Sequence, residues 1–282
     1  MRLLKAGRFC SKPPPPVMKR HHLLSLGLLA AVACSSPSGD PPTTPPPPTP
    51  LGAGMRVKQV TDPSLPNHPN GKASPLPVVT VTGAAVLAVD TFDETKNGKS
   101  RGSVYVQDVG SQDPWSGISL FSPTYVPGDL RLAPGDVLDL TGGYQENDHI
   151  GTAIFPAGQV LSQLAKPIGT FRYEYQPPTP REIDPTDLDD YTKGAKWVGM
   201  LVTVKNIALD GIIKETSGST GAETGRRSGH LTPALKGKIT NELIELDLQA
   251  AGTRLTSLTG VVTYFFDLHI APRSTDDIVF AK

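Results

Sequence analysis

An all-β fold is predicted by three features of the sequence. From Val78 onward, short runs rich in Val, Ile and Thr are punctuated by Gly, Pro, Asn and Asp. No sustained helical period interrupts them. Two stretches of similar length then carry the same landmarks in the same order, which predicts two tandem five-stranded units.

In the first unit, residues 78–89 read as one long strand with Gly83 as a bulge or coil point. Residues 93–102 form a polar loop turning at Asn97-Gly98. Residues 104–107 alternate apolar and polar, residues 117–121 make a short strand, and Pro134-Gly135-Asp136 turns into a strand over 137–144. Asn147-Asp148 offers a further turn, and residues 152–155 are expected to return as the fifth strand. Five strands in about 80 residues fit a small barrel.

The second unit repeats this plan. Residues 197–204 mirror the first long strand with Gly199 in the place of Gly83, and Leu258-Thr259-Gly260 mirrors Leu140-Thr141-Gly142. The two glycine-to-glycine spacings are close, 59 from Gly83 to Gly142 and 61 from Gly199 to Gly260. Ile270-Ala271-Pro272 is matched with Ile154-Phe155-Pro156. Residues 243–248 alternate, with Ile244, Leu246 and Leu248 toward a core and Glu245 and Asp247 toward water. The expected boundaries are a first unit over 78–169, a linker over 170–196 and a second unit over 197–282, with a long insert at 210–240.

The N-terminal part has a different character. Met18-Lys19-Arg20-His21-His22 is followed by an apolar stretch over 23–33, too short to span a bilayer but of the length of a secretion signal. Ala31-Val32-Ala33-Cys34 resembles the lipobox of bacterial lipoproteins. That resemblance implies a signal peptide over 18–33 and a diacylglyceryl and acyl (palmitate-type) lipid on Cys34 as the mature N-terminus. It places the chain at the bacterial cell envelope, with Ser35 and Ser36 resembling lipoproteins sorted to the outer membrane. Residues 1–17, with four consecutive prolines from Pro13, do not belong to such a signal and are read as a non-native or untranslated extension. The Pro- and Ser-rich stretch 34–77 is read as a disordered, extended tether. The whole chain has 27 basic and 27 acidic residues. Six of the basic ones and no acid precede Cys34, which leaves 21 against 27, a net charge of −6. No global attraction for phosphate backbones follows from that balance.

Leu132-Ala133-Pro134-Gly135-Asp136-Val137-Leu138-Asp139-Leu140-Thr141-Gly142 resembles the fourth-strand entry of OB-fold domains associated with secreted bacterial nucleases. Val104-Tyr105-Val106-Gln107-Asp108 and Gly117-Ile118-Ser119-Leu120-Phe121 resemble their second and third strands. The resemblance covers residues 79–165 well and 197–280 loosely, and it implies two tandem OB-like barrels. The second unit departs from the pattern in carrying Ala251-Gly252-Thr253-Arg254 where the Gly-Asp turn is expected.

Chemistry-bearing motifs are scarce. His68, His149, His230 and His269 have no metal-ligand spacing, so no metal site is expected. Neither a Gly-x-Ser-x-Gly turn nor a phosphate-binding Gly-rich loop occurs, and no catalytic residue is assigned. The acids Asp184, Asp187, Asp189 and Asp190 read as solvated linker rather than a calcium loop, since the central glycine and closing glutamate are missing. Tyr105, Trp115, Phe121, Tyr125 and Tyr144 are the candidate stacking face for a ligand, against the alternative that they pack a core. The insert 205–238, with six basic residues against three acidic and with Arg226 and Arg227 adjacent, is the one stretch suited to phosphates. Arg273 with Asp276 or Asp277 reads as a cap or ion pair.

These readings point to a lipid-anchored, non-catalytic binding or interaction module. It needs no cofactor, holds the membrane through its lipid, and has an envelope protein or a polysaccharide as its expected partner. The alternative is an envelope nuclease accessory or nucleic-acid-binding protein using the basic insert.

Overall fold

The computed structural model describes residues 51–98, 102–218 and 220–282. Cys34, the signal and the first part of the tether, through residue 50, lie outside the described residues. The fold is mostly β, with short helical pieces.

The first half begins earlier than the sequence predicts. Met55 bridges to Val81, and a short helix α1 (Val57–Thr61) follows. Val57 and Val60 have no exposed surface and pack with Val81, Val86 and Leu138. This part of the predicted disordered tether is therefore ordered: Val57 and Val60 are buried in the first core, and a carboxylate from elsewhere in the chain holds the start of α1. Asp108 accepts hydrogen bonds from the Val57 and Lys58 amides at 2.7 and 3.0 Å and pairs with Arg56 at 3.0 Å.

The strands that follow are β1 (Val78–Val89), β2 (Val104–Asp108), β3 (Gly117–Phe121), β4 (Thr124–Val126), β5 (Asp136–Asn147), β6 (His149–Ile150), β7 (Ala153–Ile154) and β8 (Leu161–Glu174). β1 pairs antiparallel with β2 and β5, β2 with β3, and β5 with β8, while β3 and β8 run parallel. The series of pairings thus returns to its start. Residues 152–155, predicted to be the fifth strand, form only the small β6–β7 hairpin. The long strand β8 takes that place and runs through the predicted boundary at residue 169. Lys166, at φ 47°, and Pro167 break its alternation, which is why its sequence does not read as a strand.

The connecting segment holds β9 (Arg181–Glu182) and a short helix α2 (Tyr191–Gly194). Two of its acids are local caps, Asp184 accepting from the Thr186 amide at 2.8 Å and Asp190 from the Lys193 amide at 2.9 Å, while Asp189 reaches the distant Lys236 amide at 2.9 Å.

The second half contains β10 (Leu201–Thr216), β11 (Glu223–His230), β12 (Lys238–Thr240), β13 (Gln249–Phe265), β14 (Asp267–Ala271) and β15 (Ile278–Phe280). β10 pairs antiparallel with β11 and β13, β11 with β12, and β13 with β14, while β12 and β14 run parallel. The predicted insert is largely the hairpin of β10 and β11. Residues 243–248 are not a strand: Leu243 and Leu246 are buried while Leu248 is 52% exposed, because the segment is a loop capping the core rather than a rung of a ladder.

The two Leu-Thr-Gly motifs occupy equivalent places, and each residue has a reason. Leu140 and Leu258 are fully buried. Thr141 faces Thr80 with hydroxyls 3.0 Å apart, and Thr259 faces Thr203 at 2.7 Å. A Cβ on Gly142 would meet the Ala165 carbonyl at 3.0 Å, and one on Gly260 the Ala271 carbonyl at 2.5 Å, so glycine admits the last strand. These registers correct two matches drawn from the sequence. The counterpart of Ile270-Ala271 is Leu164-Ala165, not Ile154-Phe155, since Gly143 faces Ala165 as Val261 faces Ala271. Gly83, at φ 67°, corresponds to Asn206, at φ 54°, each lying three residues after its threonine. Asparagine tolerates the left-handed conformation that glycine adopts freely, but the bulge does not recur with it: the β10–β13 register runs unbroken past Asn206 and shifts between Ala208 and Asp210.

Candidate functional site

The region with the most strongly perturbed chemistry is the junction of the two halves. Residues of β1 and β2, Leu87, Ala88 and Tyr105, form one buried cluster with Leu201, Leu243, Val261 and Ala271 of the second half. The Leu201 amide donates to Gln107 Oε1 at 3.0 Å, and the Trp115 amide donates to the Lys196 carbonyl at 2.7 Å. Gly117 packs so tightly on Gly199 that a side chain on either would collide with backbone. β2 is therefore buried on both faces although its residues alternate apolar and polar.

Beside this contact lies a group of acids. The Tyr105 hydroxyl donates to Glu242 Oε1, across the junction. Asp90 and Glu94, on the segment after β1, are 5% exposed. Burial first, then Glu242 and Glu94, push the Asp90 carboxyl up to about 7. Burial likewise raises Glu94, against the pull of Arg226, whose Nε lies 3.5 Å from Glu94 Oε1. Among the described residues Glu94 Oε2 has no hydrogen-bond partner. Arg226 also lies over the Phe265 ring, 4.7 Å from its centroid. Nearby, burial lowers His269 to about 4, with the cations Lys238 and Arg226 acting in the same direction. Among the described residues no group of His, Cys, Asp and Glu has the geometry to hold a metal ion.

The residues singled out in the sequence do not converge. Tyr105 faces Glu242 at the junction, and Tyr144 is fully buried in the first core. Phe121 is 51% exposed on β3, Tyr125 packs against the first core, and Trp115 sits in the turn before β3 at φ 69°. They share no face, so no stacking platform is assembled. Arg226 is engaged by Glu94 and Phe265, and Arg227 by Glu245 at 2.9 Å and by the Leu246 carbonyl. Arg273 pairs with Asp277 at 3.0 Å and closes a turn. Asp90, Glu94 and Glu242 carry no sequence signal, because nothing local announces that residue 242 meets residue 105.

A second feature is an exposed strip on the outer face of the first sheet, bordered by the Asp139–Arg172 ion pair. Thr80, Thr141, Ile168 and Thr124 lie in one row across β1, β5, β8 and β4, and Thr170 and Val126 lie side by side two residues along. All six are exposed, Ile168 at 55% and Val126 at 54%. No family model, curated protein or solved structure matches the chain.

Proposed function

We propose that this chain is a non-catalytic interaction module of two OB-like barrels, carried at the bacterial cell envelope by a lipid on Cys34. The observation that carries the reading is the pairing scheme shared by the two sheets. In each, the first strand pairs with the second and fourth, and the third runs parallel to the fifth, the arrangement of a five-stranded Greek-key barrel. Such barrels bind ligands on the face of their second and third strands. In the first half that face meets the second half, so binding shifts to the Thr80–Thr124 row. A row of hydroxyls and methyls without charge suits an envelope protein or a neutral polysaccharide better than a phosphate backbone. The engagement of Arg226 and Arg227 in ion pairs argues in the same direction and against the nucleic-acid alternative.

The test is a photo-crosslinking residue at Ile168, compared with one at Ile213, which is 64% exposed on the other half. In intact envelopes the first is expected to give one discrete adduct and the second none; no adduct from Ile168 would overturn the proposed surface. Mass spectrometry of the mature N-terminus is expected to show a lipid on Cys34. An unmodified peptide running through Ala33-Cys34-Ser35 would overturn the anchor.

A further inference from the structure

Stretches far apart in the sequence meet in a cleft of about 100 Å³. Its walls are Gln159 of the loop before β8, Asp189 and Tyr191 at the start of α2, and Tyr264, Phe266 and Asp267 around the turn from β13 to β14; Lys236 of the loop before β12 joins them. Phe155 brings the first of these stretches across, since it leaves the first half and is buried in the second core. Its ring stands edge-on to Tyr264 and Phe266, with centroids 4.8 and 5.3 Å away. The tyrosine hydroxyls close the walls: Tyr191 donates to the Val160 carbonyl at 2.6 Å, and Tyr264 bonds to Gln159 Oε1. Phe266 has no such use. It holds the turn at φ 64°, a conformation that a bulky side chain adopts only under strain and that glycine or asparagine would take more easily. Its ring is 39% exposed, yet the edges of Phe155 and Phe265 fix it in place. A fixed aromatic plane open to water on a cleft is a stacking surface.

The polar groups beside it narrow the choice of ligand. Asp189 is held through Oδ1 by the Lys236 amide at 2.9 Å and Asp267 through Oδ2 by Lys238 at 2.7 Å, which leaves each a second oxygen to offer. Gln159 keeps its side-chain N–H groups, because Tyr264 takes only the oxygen. Among the described residues Asp189 and Lys236 are in no ion pair, so the cleft holds one uncommitted charge of each sign. Such a lining suits a neutral molecule with an apolar face and a rim of hydroxyls. A sugar ring has that form. Sites for drug-sized ligands begin at about 300 Å³, so the cleft seats one ring rather than a chain.

We propose that this cleft binds a single neutral hexose residue, stacked on Phe266, with hydroxyls donating to Asp189 and Asp267 and accepting from Gln159 and Lys236. The cleft shares no residue with the Thr80–Thr124 row, and the proposal stands or falls without it and without the anchor.

The test is saturation-transfer difference NMR on the full chain, irradiating aromatic protons in the presence of the methyl glycosides of glucose, galactose, mannose and N-acetylglucosamine, each at about 10 mM, since a ligand of this size binds on the order of millimolar. At least one glycoside is expected to receive saturation, strongest at the C–H protons of one ring face. Phe266→Asn keeps a residue suited to the left-handed turn and removes the stacking plane; affinity should fall by about tenfold or more. Asp189→Asn should weaken binding by about threefold or more, and it reports even where Phe266→Asn folds poorly. Phe280→Ala, which removes an exposed ring outside the cleft, should change nothing. No transfer to any glycoside, or undiminished transfer in both cleft variants, would overturn the proposal. Choline binding in place of the glycosides would overturn it too, by showing an aromatic cage for a cation.

Discussion

The two halves keep one pairing scheme with different residues at its demanding points, and the difference separates what the fold requires from what the junction requires. Leu-Thr-Gly recurs unchanged, because a buried leucine, a threonine facing a threonine and a close approach of the last strand are needed in both halves. The left-handed position accepts Gly83 in one and Asn206 in the other. The second strand differs most. β2 is buried on both faces because the second half covers it, whereas β11 leaves Arg226 and Arg227 half-exposed. The same place in the scheme is covered along its length in the first half, whereas in the second half it meets the segment after β1 at Gly225 and Arg226.

The sharpest way to break the comparison is at the junction. Gly117→Val would drive a branched side chain into the Gly199 backbone, and a loss of about 3 kcal/mol or more is expected. Denaturant unfolding of the variant would show it as a lower midpoint. A smaller loss would mean that the halves are not pressed together there.

Next in size is the fifth strand, where Thr263 faces His269 as Gln145 faces Gln163. His269 is held neutral down to about pH 4, while the unfolded histidine protonates near 6.5. The stability it leaves intact above 6.5 is lost as pH falls through that window, at up to about 1.4 kcal/mol per unit. Replacing it by the glutamine of the first half, His269→Gln, should flatten that limb of the stability profile. Gln107→Leu leaves the buried Leu201 amide without its acceptor, and about 1–3 kcal/mol is expected.

At the bulge, Gly83→Ala should cost about 1–2 kcal/mol, since it adds a left-handed alanine against Leu51. Asn206→Gly should change stability by less than about 0.5 kcal/mol. The smallest effect belongs to the threonine pairs. Thr80→Val or Thr203→Val removes one hydroxyl from a cross-strand pair, and a few tenths of a kcal/mol are expected in each half, about equally. Unequal costs would weaken the equivalence of the two motifs.

Much of the first half was legible in the sequence. Residues 78–89 and 117–121 are strands with the bounds read from their β-branched runs, and Gly83 does sit in a bulge. Leu-Thr-Gly located the fourth strand in both halves. β8 was not legible, because Lys166, at a left-handed φ, and Pro167 interrupt its alternation. Nor was α1, whose two buried valines lie between prolines and whose cap comes from Asp108. The alternation around Tyr105 and Gln107 predicts one wet face, and only the fold reveals that another part of the chain covers it. The acids of the junction were silent for the same reason: their meaning lies in which residues they meet.

The central claim is that the two halves are joined through the face of β2 and β3 into one cooperative body. Trp115, whose amide bonds to Lys196, and Trp197, buried in the second core, report from both sides of that joint. Urea unfolding of the full chain, followed by tryptophan fluorescence and by far-ultraviolet circular dichroism, tests it most directly. A single transition with coincident midpoints is predicted, and two separated transitions would contradict it.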